Sequence, residues 1–437
     1  MMTGFGSNQY SHYTAYYWTH RPTNVTKNQL MTAPMNGKTC RAVQLQFIAR
    51  HGSRFTDASN MRKYTSVHSK LIESGQNSEH PFLNTWTNDY NEDKAWELTA
   101  LGMDEMRYLG AKYGKSLYDL FQMAGSRRFT SSNTSRAIDS ANEFKNGINE
   151  ELGRQNTLTP VKTDERRIRF YNGCPRYTKD VRSNDALLSQ MTKFEEGNEF
   201  KSVIENVKRR LQISTPLTAD DVKVIRELCS IELGAFGKEA WCHLLSDEDR
   251  EILQYGQDIE DYLIRFGGDP LNKDVTCPLM KDIEMSFETA IKQIRANESY
   301  DVMDVRIGHF STVSLLLNAL GLYQDTEPLK ADNFMEMRDR QFMSSCVVPM
   351  SANVAFVLYI CDSNDEDDYA VRVIVNDADV IVPGCGSTVC EYRKLINQIQ
   401  TISKSCDYDK FCEIDTSSSS TISISIYFLF IFWLSYI

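Results

Sequence analysis

The five residues Arg50-His51-Gly52-Ser53-Arg54 bring together side chains that can attack a phosphate group and hold it. Positive charge nearby disfavours protonation of an imidazole, so a histidine between two arginines stays neutral and can act as a nucleophile. Guanidinium groups bind phosphate oxygens through paired hydrogen bonds. Gly52 lets the backbone approach a ligand, because glycine has no Cβ. The pattern predicts a nucleophilic histidine in an arginine cradle. A surface cluster of arginine and histidine side chains would have the same sequence.

Two more residues of this chemistry follow predicted strands. Arg136 comes shortly after residues 126–130 and could complete a cradle of three arginines, and His309 follows residues 302–307. Taken singly, each is better explained as a solvated arginine or a structural histidine. Open α/β sheets, however, bind their ligands at the carboxyl ends of their strands. Three such residues at three strand ends therefore predict one common site.

The elements that must position these residues alternate between strand and helix. Residues 41–49 form an apolar run rich in β-formers, which predicts a buried strand, and residues 98–113 have apolar side chains at helical spacing. Further strands are predicted at 126–130, 302–307, 354–360 and 371–375, the last two as a hairpin, and helices within 131–147 and at 312–320. Residues from about 180 to 300 predict amphipathic helices. The order indicates an α/β fold with an α-helical insertion.

The composition excludes several classes of protein. Of the 437 residues, 41% are hydrophobic and 24% are charged, which is ordinary globular usage and argues against disorder or several membrane spans. Lys and Arg total 48 against 59 Asp and Glu, a formal net charge of −11. A nucleic-acid partner is not expected, because duplex binding needs a basic face. A local arginine cluster can still bind a small anion.

Eleven cysteines bear on the compartment of the protein. No C-x-x-C pair occurs and only 7 His are present, so no metal site is expected. The cysteines fit either buried thiols or disulfides of a secreted protein, and N-x-S/T sequons at Asn24, Asn133 and Asn297 favour secretion. The odd number leaves at least one thiol unpaired, and local spacing predicts Cys406–Cys412 as the first pair. Asn133 is expected to be unmodified, because a glycan there would obstruct the site.

The two ends of the chain give opposing indications. The first residues lack the basic and apolar regions of a signal peptide. A Thr/Ser run at 416–420 precedes an apolar tail at 422–437, which is short for a membrane span of roughly 17–25 residues. The tail is interpreted as a lipid-anchor signal with attachment at Ser417 or Ser418, as a tail-anchored helix, or as an artefact of gene prediction. An anchor requires the secretory pathway, so an upstream leader is expected, with the cell surface, the extracellular space or the endoplasmic reticulum lumen as destination.

These motifs resemble those of a known family. Arg50-His51-Gly52-Ser53-Arg54 is similar to the R-H-G-x-R signature of the histidine acid phosphatases, branch 2 of the histidine phosphatase superfamily. Residues 131–147 resemble the second arginine block of that family. Residues 169–176, 229–230 and 241–242 resemble the helical cap of the multiple inositol polyphosphate phosphatases, and the likeness continues through 308–325 and 356–359. It covers roughly residues 5–400.

The resemblance implies a phosphoglycerate-mutase-like α/β core with an inserted α-helical cap. The implied organisation is an N-terminal extension at 1–40, the first part of the core at 41–175, the cap at 176–300, the second part of the core at 301–400, a linker at 401–421 and the hydrophobic tail at 422–437.

The resemblance also implies a two-step hydrolysis of phosphomonoesters without metal or cofactor. His51 would attack phosphorus and carry a phosphohistidine. The groups that would hold the phosphate oxygens are Arg50, Arg54, Arg136 and His309, with Arg62 or Lys63 as further contacts to ring phosphates. Inositol polyphosphates including phytate are the implied substrates, with 2,3-bisphosphoglycerate as a second one.

The sequence departs from the family after its second histidine. The family has an acid there, as H-D or H-A-E, whereas this chain has His309-Phe310-Ser311. The leaving alkoxide would lose a proton donor, whose contribution is roughly 10²–10⁴-fold. Asp57, Asp304 or water could replace it; otherwise the protein is a weak or inactive enzyme that still binds inositol polyphosphates, the main alternative. A surface adhesion protein would not need the cradle.

Overall fold

The computed structural model describes residues 10–73, 80–153, 159–361 and 368–414. The predicted tail at 422–437, the candidate attachment sites Ser417 and Ser418 and the first nine residues lie outside this part of the chain. Within the described ranges, no helix combines the length and the apolar character that a membrane crossing requires.

A mixed sheet of nine strands forms the centre of the molecule, in the order β4-β3-β5-β2-β6-β7-β8, with β1 paired to β2 and β9 to β7. The strands are β1 Thr32–Met35, β2 Lys38–Arg50, β3 Ser126–Ser131, β4 Lys162–Thr163, β5 Asp301–Gly308, β6 Asn353–Ile360, β7 Tyr369–Val375, β8 Ala378–Asp379 and β9 Val389–Glu391. Strands β2, β3, β4 and β5 are parallel to their neighbours within this group, and β6 and β7 form the predicted antiparallel hairpin.

Both faces of the central strand β2 are covered, which explains its continuous apolar run. Leu45 and Phe47 belong to the core on one face of the sheet, and Val43 and Ile48 to the core on the other. Strand β2 is thereby confirmed where the sequence placed it, and its carboxyl end is fixed in the middle of the sheet.

Helices cover the sheet on both faces and fill the connection between β4 and β5. The α-helices are α1 Tyr16–Thr19, α2 Ala58–Glu73, α3 Phe82–Thr85, α4 Ala100–Ser116, α5 Tyr118–Gln122, α6 Ser135–Glu151, α7 Glu165–Ile168, α8 Pro175–Tyr177, α9 Asp185–Glu195, α10 Asn198–Leu211, α11 Ala219–Phe236, α12 Asp247–Arg265, α13 Leu271–Asp274, α14 Cys277–Arg295, α15 Phe310–Ala319, α16 Ser344–Val347, α17 Tyr392–Ser403 and α18 Tyr408–Cys412. Short 3-10 helices lie at Ser11–Tyr13, Glu92–Lys94, Phe170–Gly173 and Ala240–Leu244, and Thr178–Arg182 is a π-helix.

Helix α4 begins where the sequence predicts it, because the Thr99 hydroxyl accepts a hydrogen bond from the Gly102 N–H at 3.1 Å. It packs closely on α6 through Gly110, where a Cβ would lie 1.9 Å from the carbonyl oxygen of Phe144. The Phe144 ring in turn stacks on Phe47 of β2, with ring centroids 4.4 Å apart. This packing confirms the expected α/β architecture on one face of the sheet.

The helices α7 to α14 follow β4 and precede β5, so the chain leaves the sheet and returns to it as predicted. Their core contains large buried aromatic side chains, among them Trp241, Phe194 and Tyr255. Helix α12 carries Asp261 and Arg265 to the carboxyl edge of the parallel strands. The helical segment therefore covers the carboxyl edge of the parallel strands, where the candidate site residues lie.

Five disulfide bonds are present: Cys40–Cys361, Cys174–Cys412, Cys229–Cys242, Cys277–Cys406 and Cys385–Cys390. Cys346 remains a buried free thiol. The predicted pair Cys406–Cys412 is wrong, because helix α18 intervenes and separates the two cysteines. It carries Cys412 to the start of α8, whereas Cys406 lies against the first residue of α14.

Candidate active site

Parallel pairing brings the three predicted strand ends to one place. In the register of the sheet, Arg50 of β2 lies opposite Gly308 of β5, and Ser131 of β3 lies opposite Ile307. The next residue in each strand therefore leaves the sheet at the same edge. A cavity of about 370 Å³ opens there, and His51, His309, Arg50, Arg54 and Arg136 all line it.

The His51 ring is oriented for nucleophilic attack. Its Nδ1 lies 2.9 Å from the carbonyl oxygen of Gly52. A carbonyl oxygen can only accept, so Nδ1 carries the proton and Nε2 has its lone pair free. Burial lowers the pKa of His51 well below 6.5, and the positive charges of Arg50, Arg54 and Arg136 lower it further. The low pKa keeps the ring neutral near pH 6.5, so its free nitrogen can act as a nucleophile.

The loop after β2 is held from below by helix α4. A Cβ on Gly52 would lie 2.2 Å from the carbonyl oxygen of Gly102, so the close approach that requires this glycine is to α4 rather than to a ligand. Buried Glu105 accepts hydrogen bonds from the Ser53 N–H at 3.0 Å and from the Ser53 hydroxyl at 3.0 Å. The same carboxylate accepts from the Tyr16 N–H at 2.8 Å and the Ser351 hydroxyl at 2.9 Å. No sequence motif marks Glu105.

The arginines of the cradle are held by backbone and aromatic groups rather than by carboxylates. Arg50 donates to the carbonyl oxygens of Val348 at 2.8 Å and His12 at 2.7 Å. The guanidinium carbons of Arg54 and Arg136 lie 4.4 and 5.2 Å from the ring centre of Trp96. In the described part of the chain, the Nε atoms of all three arginines are buried without a hydrogen-bond partner. All three side chains line the cavity, so their guanidinium groups can bind an anion there.

His309 lies directly before helix α15. Its Nε2 is 2.8 Å from the Ser132 hydroxyl oxygen, and its ring centre is 5.3 Å from that of His51. Its backbone N–H donates to Thr312 Oγ1 at 3.1 Å, which fixes the turn into the helix. Burial lowers the pKa of His309 to about 2, with Arg136 and Arg169 adding to the effect. His309 is therefore a neutral hydrogen-bonding group in the site.

The rest of the cavity wall comes from residues outside the predicted site. They are His12, Trp96, Arg169, Tyr171, Asn172, Arg182, Gln257, Glu260, Asp261, Arg265, Phe310 and Ser311. Arg169 stands in the segment 169–176 that resembles the family, so that likeness could have drawn attention to it. The residues of α12 carry no local signal, because charged residues on amphipathic helices are usually solvated.

Arg62 and Lys63, predicted as further substrate contacts, do not line this cavity. Both are exposed on helix α2, and Arg62 pairs with Glu92. They point away because Met61 and Tyr64 form the buried face of that helix.

The two carboxylates suggested as substitute acids also lie elsewhere. Asp57 accepts a hydrogen bond from the Asn60 N–H at 2.9 Å at the start of α2. Asp304 is fully buried within β5, ion-paired to Arg128, Arg167 and Arg306. Neither lines the cavity.

A phosphate-sized anion is the group that these residues can hold. Among the described residues, no cluster of His, Cys, Asp and Glu has the arrangement of a metal site. The chemistry available is that of an unprotonated imidazole nitrogen beside guanidinium groups. This is the arrangement that forms and stabilises a phosphohistidine.

Fold and site together define a phosphatase of the histidine type. The chain belongs to the histidine phosphatase superfamily (branch 2), whose family description matches residues 43–376.

Several known proteins are similar to this chain over most of their length. Multiple inositol polyphosphate phosphatase 1 of Gallus gallus is 28% identical over 381 residues, covering 86% of this chain and 85% of that protein. The Homo sapiens protein of the same name is 26% identical over 408 residues, covering 88% and 84%. The crystal structure of the phytase from D. castellii superposes with a TM-score of 0.73 at 18% identity, covering 93% of this chain and 86% of that one. The Bifidobacterium longum multiple inositol polyphosphate phosphatase in complex with inositol hexasulfate gives 0.73 at 15%, covering 92% and 99%.

Proposed function

We propose that this protein removes phosphate from inositol polyphosphates through a phosphohistidine on His51. The observation that carries the proposal is the charge of the cavity wall. Six arginines line it, Arg50, Arg54, Arg136, Arg169, Arg182 and Arg265, against the two carboxylates Glu260 and Asp261. One phosphate occupies two or three guanidinium groups, so the remaining arginines fit a substrate that carries several phosphates.

The reaction follows from the positions of the nitrogen atoms. Nε2 of His51 attacks phosphorus, and the bond between phosphorus and the ester oxygen on the inositol ring breaks. Arg50, Arg54 and Arg136 neutralise the charge that develops on the other phosphate oxygens, and His309 offers a further hydrogen bond. Water then attacks the phosphohistidine, the phosphorus–nitrogen bond breaks, and inorganic phosphate leaves.

The relatives support this substrate class. The two curated relatives described above are named for inositol polyphosphates, and the Bifidobacterium longum protein is described with inositol hexasulfate bound. Phytate and its partly dephosphorylated products are therefore the first substrates to test, with 2,3-bisphosphoglycerate as the second class.

The five disulfides support an oxidising compartment, because such bonds persist in secreted and endoplasmic reticulum proteins and are rare in the cytosol. The sequon residues Asn24, Asn133 and Asn297 are all exposed. Entry into the secretory pathway and glycosylation at Asn24 and Asn297 belong to the proposal, with Asn133 unmodified because it adjoins Ser132 of the site. Glycopeptide mapping of the secreted protein tests this.

The test of function is phosphate release from phytate by purified protein between pH 3 and 8. His51→Ala should abolish release, because it removes the nucleophile. His243→Ala is the matched control, since His243 is exposed and does not line the cavity. Quenching in alkaline detergent, in which the phosphorus–nitrogen bond survives, should trap label from ³²P-labelled substrate on the wild-type protein and the His243 variant but not on His51→Ala.

A second candidate function is supported by Phe310 and Ser311, which replace the acidic residues of the family. In that case the protein binds inositol polyphosphates with little turnover. Tight binding of phytate by calorimetry, without phosphate release, would favour this function over hydrolysis.

A further inference from the structure

The proposed hydrolysis needs a proton for the departing ester oxygen of the substrate, because an alkoxide is a poor leaving group. The positions that follow His309 hold Phe310 and Ser311, and Asp57 and Asp304 do not line the cavity. The acid must therefore come from another part of the wall. The ionisable side chains with exchangeable protons that face the cavity, besides the arginines and the two site histidines, are His12, Tyr171, Glu260 and Asp261.

His12 lines the cavity, and its segment is bonded to an arginine of the cradle. It belongs to the 3-10 turn Ser11–Tyr13, and its carbonyl oxygen accepts the hydrogen bond from the Arg50 guanidinium at 2.7 Å. Its ring contacts the Phe310 ring, with centroids 6.2 Å apart in an edge-on arrangement. His12 is thereby tied both to the phosphate cradle and to the residue that replaces the acid of the family.

Asp261 lies beside the His12 ring. The Nδ1 atom of His12 is 3.7 Å from Oδ2 of Asp261, whose side chain is only 2% exposed. Arg265 binds the other oxygen of this carboxylate at 2.6 Å. Although burial opposes it, the positive partners lower the pKa of Asp261, so this carboxylate stays ionised and cannot be the proton donor itself. A buried negative charge favours the protonated form of a neighbouring imidazole.

Glu260 and Tyr171 are less suited to the role. Glu260 accepts a hydrogen bond from Gln257 at 2.9 Å and lies 3.7 Å from Arg265, without a contact to Arg50 or to the loop of His51 in the described structure. Burial raises the pKa of Tyr171, which makes the phenol a weaker acid.

We propose that His12, paired with Asp261, is the general acid and base of this enzyme. The inference rests on the proposed function, and it deepens it by naming the group that the sequence departure removed. When the bond between phosphorus and the ester oxygen of the substrate breaks, the ester oxygen takes the electron pair of that bond. It also takes a proton from the imidazole of His12. In the second step, the now neutral His12 takes a proton from the attacking water. The phosphorus–nitrogen bond breaks, and Nε2 of His51 regains its electron pair.

Charged groups of two elements surround His12. Helix α12 presents Asp261, Glu260 and Arg265, and the end of β2 presents Arg50; Phe310 of α15 is uncharged. Asp261 faces Nδ1 of the His12 ring at 3.7 Å, so Nε2 is the nitrogen left to meet the departing oxygen.

The experiment compares two substrates in wild type, His12→Gln and Glu260→Gln. Phytate has an alkoxide leaving group, which needs a proton, whereas p-nitrophenolate leaves without one. The ratio kcat/KM reports the steps up to departure of the leaving group. His12→Gln should lower kcat/KM on phytate by about 10²–10⁴-fold, and that on p-nitrophenyl phosphate by less than about threefold. It should also accumulate phosphohistidine from p-nitrophenyl phosphate, because the water attack has lost its base.

Asp261→Asn gives a second test, because this variant keeps both His12 and the nucleophile His51. Without the carboxylate beside Nδ1, the ring should lose its orientation, so kcat/KM should fall on phytate and stay within about threefold on p-nitrophenyl phosphate. Thermal unfolding of each variant establishes that it is folded.

If folded His12→Gln lost kcat/KM equally on both substrates, the assignment of His12 would be overturned. If Glu260→Gln lost kcat/KM on phytate alone, the role would pass to Glu260. Wild-type protein without phosphatase activity on either substrate would overturn the proposed function itself, and the inference with it.

Discussion

Replacing Glu105 by glutamine tests whether the carboxylate beneath the His51 loop is needed as a double acceptor. Glu105 is fully buried, and each of its two oxygens accepts from one backbone N–H, Oε1 from Tyr16 and Oε2 from Ser53. Glutamine has the same shape but only one acceptor oxygen. Hydroxyl groups such as those of Ser53 and Ser351 can rotate to adapt, whereas a backbone N–H cannot.

The cost can be worked out from this geometry. Whichever way the amide of Glu105→Gln turns, one backbone N–H faces an NH₂ group and is left buried without an acceptor. That loss is worth about 1–3 kcal/mol in the free energy of unfolding. If the unpaired group is that of Ser53, the loop beside His51 shifts, and displacement of a reacting group by about 1 Å can lower the rate by about 10²-fold.

Urea unfolding in oxidising buffer measures the first effect, and kcat/KM on phytate measures the second. Glu150→Gln is the matched control, because that carboxylate is 58% exposed and 3.8 Å from Arg107. An exposed pair of this kind contributes less than about 0.5 kcal/mol. Destabilisation of Glu105→Gln no larger than that of Glu150→Gln would refute the reasoning.

Three further predictions concern the nucleophile, the cradle and the cysteines. Since burial and neighbouring positive charges hold the pKa of His51 well below 6.5, the burst rate of p-nitrophenolate at saturating substrate should show no fall centred on pH 6.5, and such a fall would contradict a neutral nucleophile. Arg136→Ala should lower kcat/KM on phytate by about 10²–10³-fold, whereas Arg62→Ala, which removes an exposed arginine paired outside the cavity, should change it less than about twofold; similar losses would count against the cavity. Thiol titration in guanidinium without reductant should find one thiol per chain, and none in Cys346→Ser, whereas more thiols would mean that the disulfides do not form.

The sheet elements beside the site could be predicted because their signals are local. An apolar run with β-formers specifies β2, and helical spacing after Thr99 specifies α4, whatever the rest of the chain does. The rule that ligands bind at strand ends then placed His51, Arg136 and His309 at one edge. Parallel pairing of β2, β3 and β5 is what makes these ends adjacent.

Local spacing could not predict contacts that depend on the path of the whole chain. Cys406 and Cys412 are six positions apart, yet each pairs with a distant cysteine, because a short helix separates them. Arg62 fits the chemistry of a phosphate contact, but the buried face of α2 turns it toward solvent.

The sequence by itself predicted the candidate nucleophile, the arginines of the cradle and the lack of an acid directly after His309, since each depends on residue types beside a predicted strand. Only the tertiary structure decided what surrounds them. The segment of His12 meets helix α12 through contacts such as that of the Ser11 N–H with Gln254, 243 positions away, at 2.6 Å. Residues so far apart share no periodicity or spacing, and only the packing of the helical segment on the sheet brings Asp261 to His12.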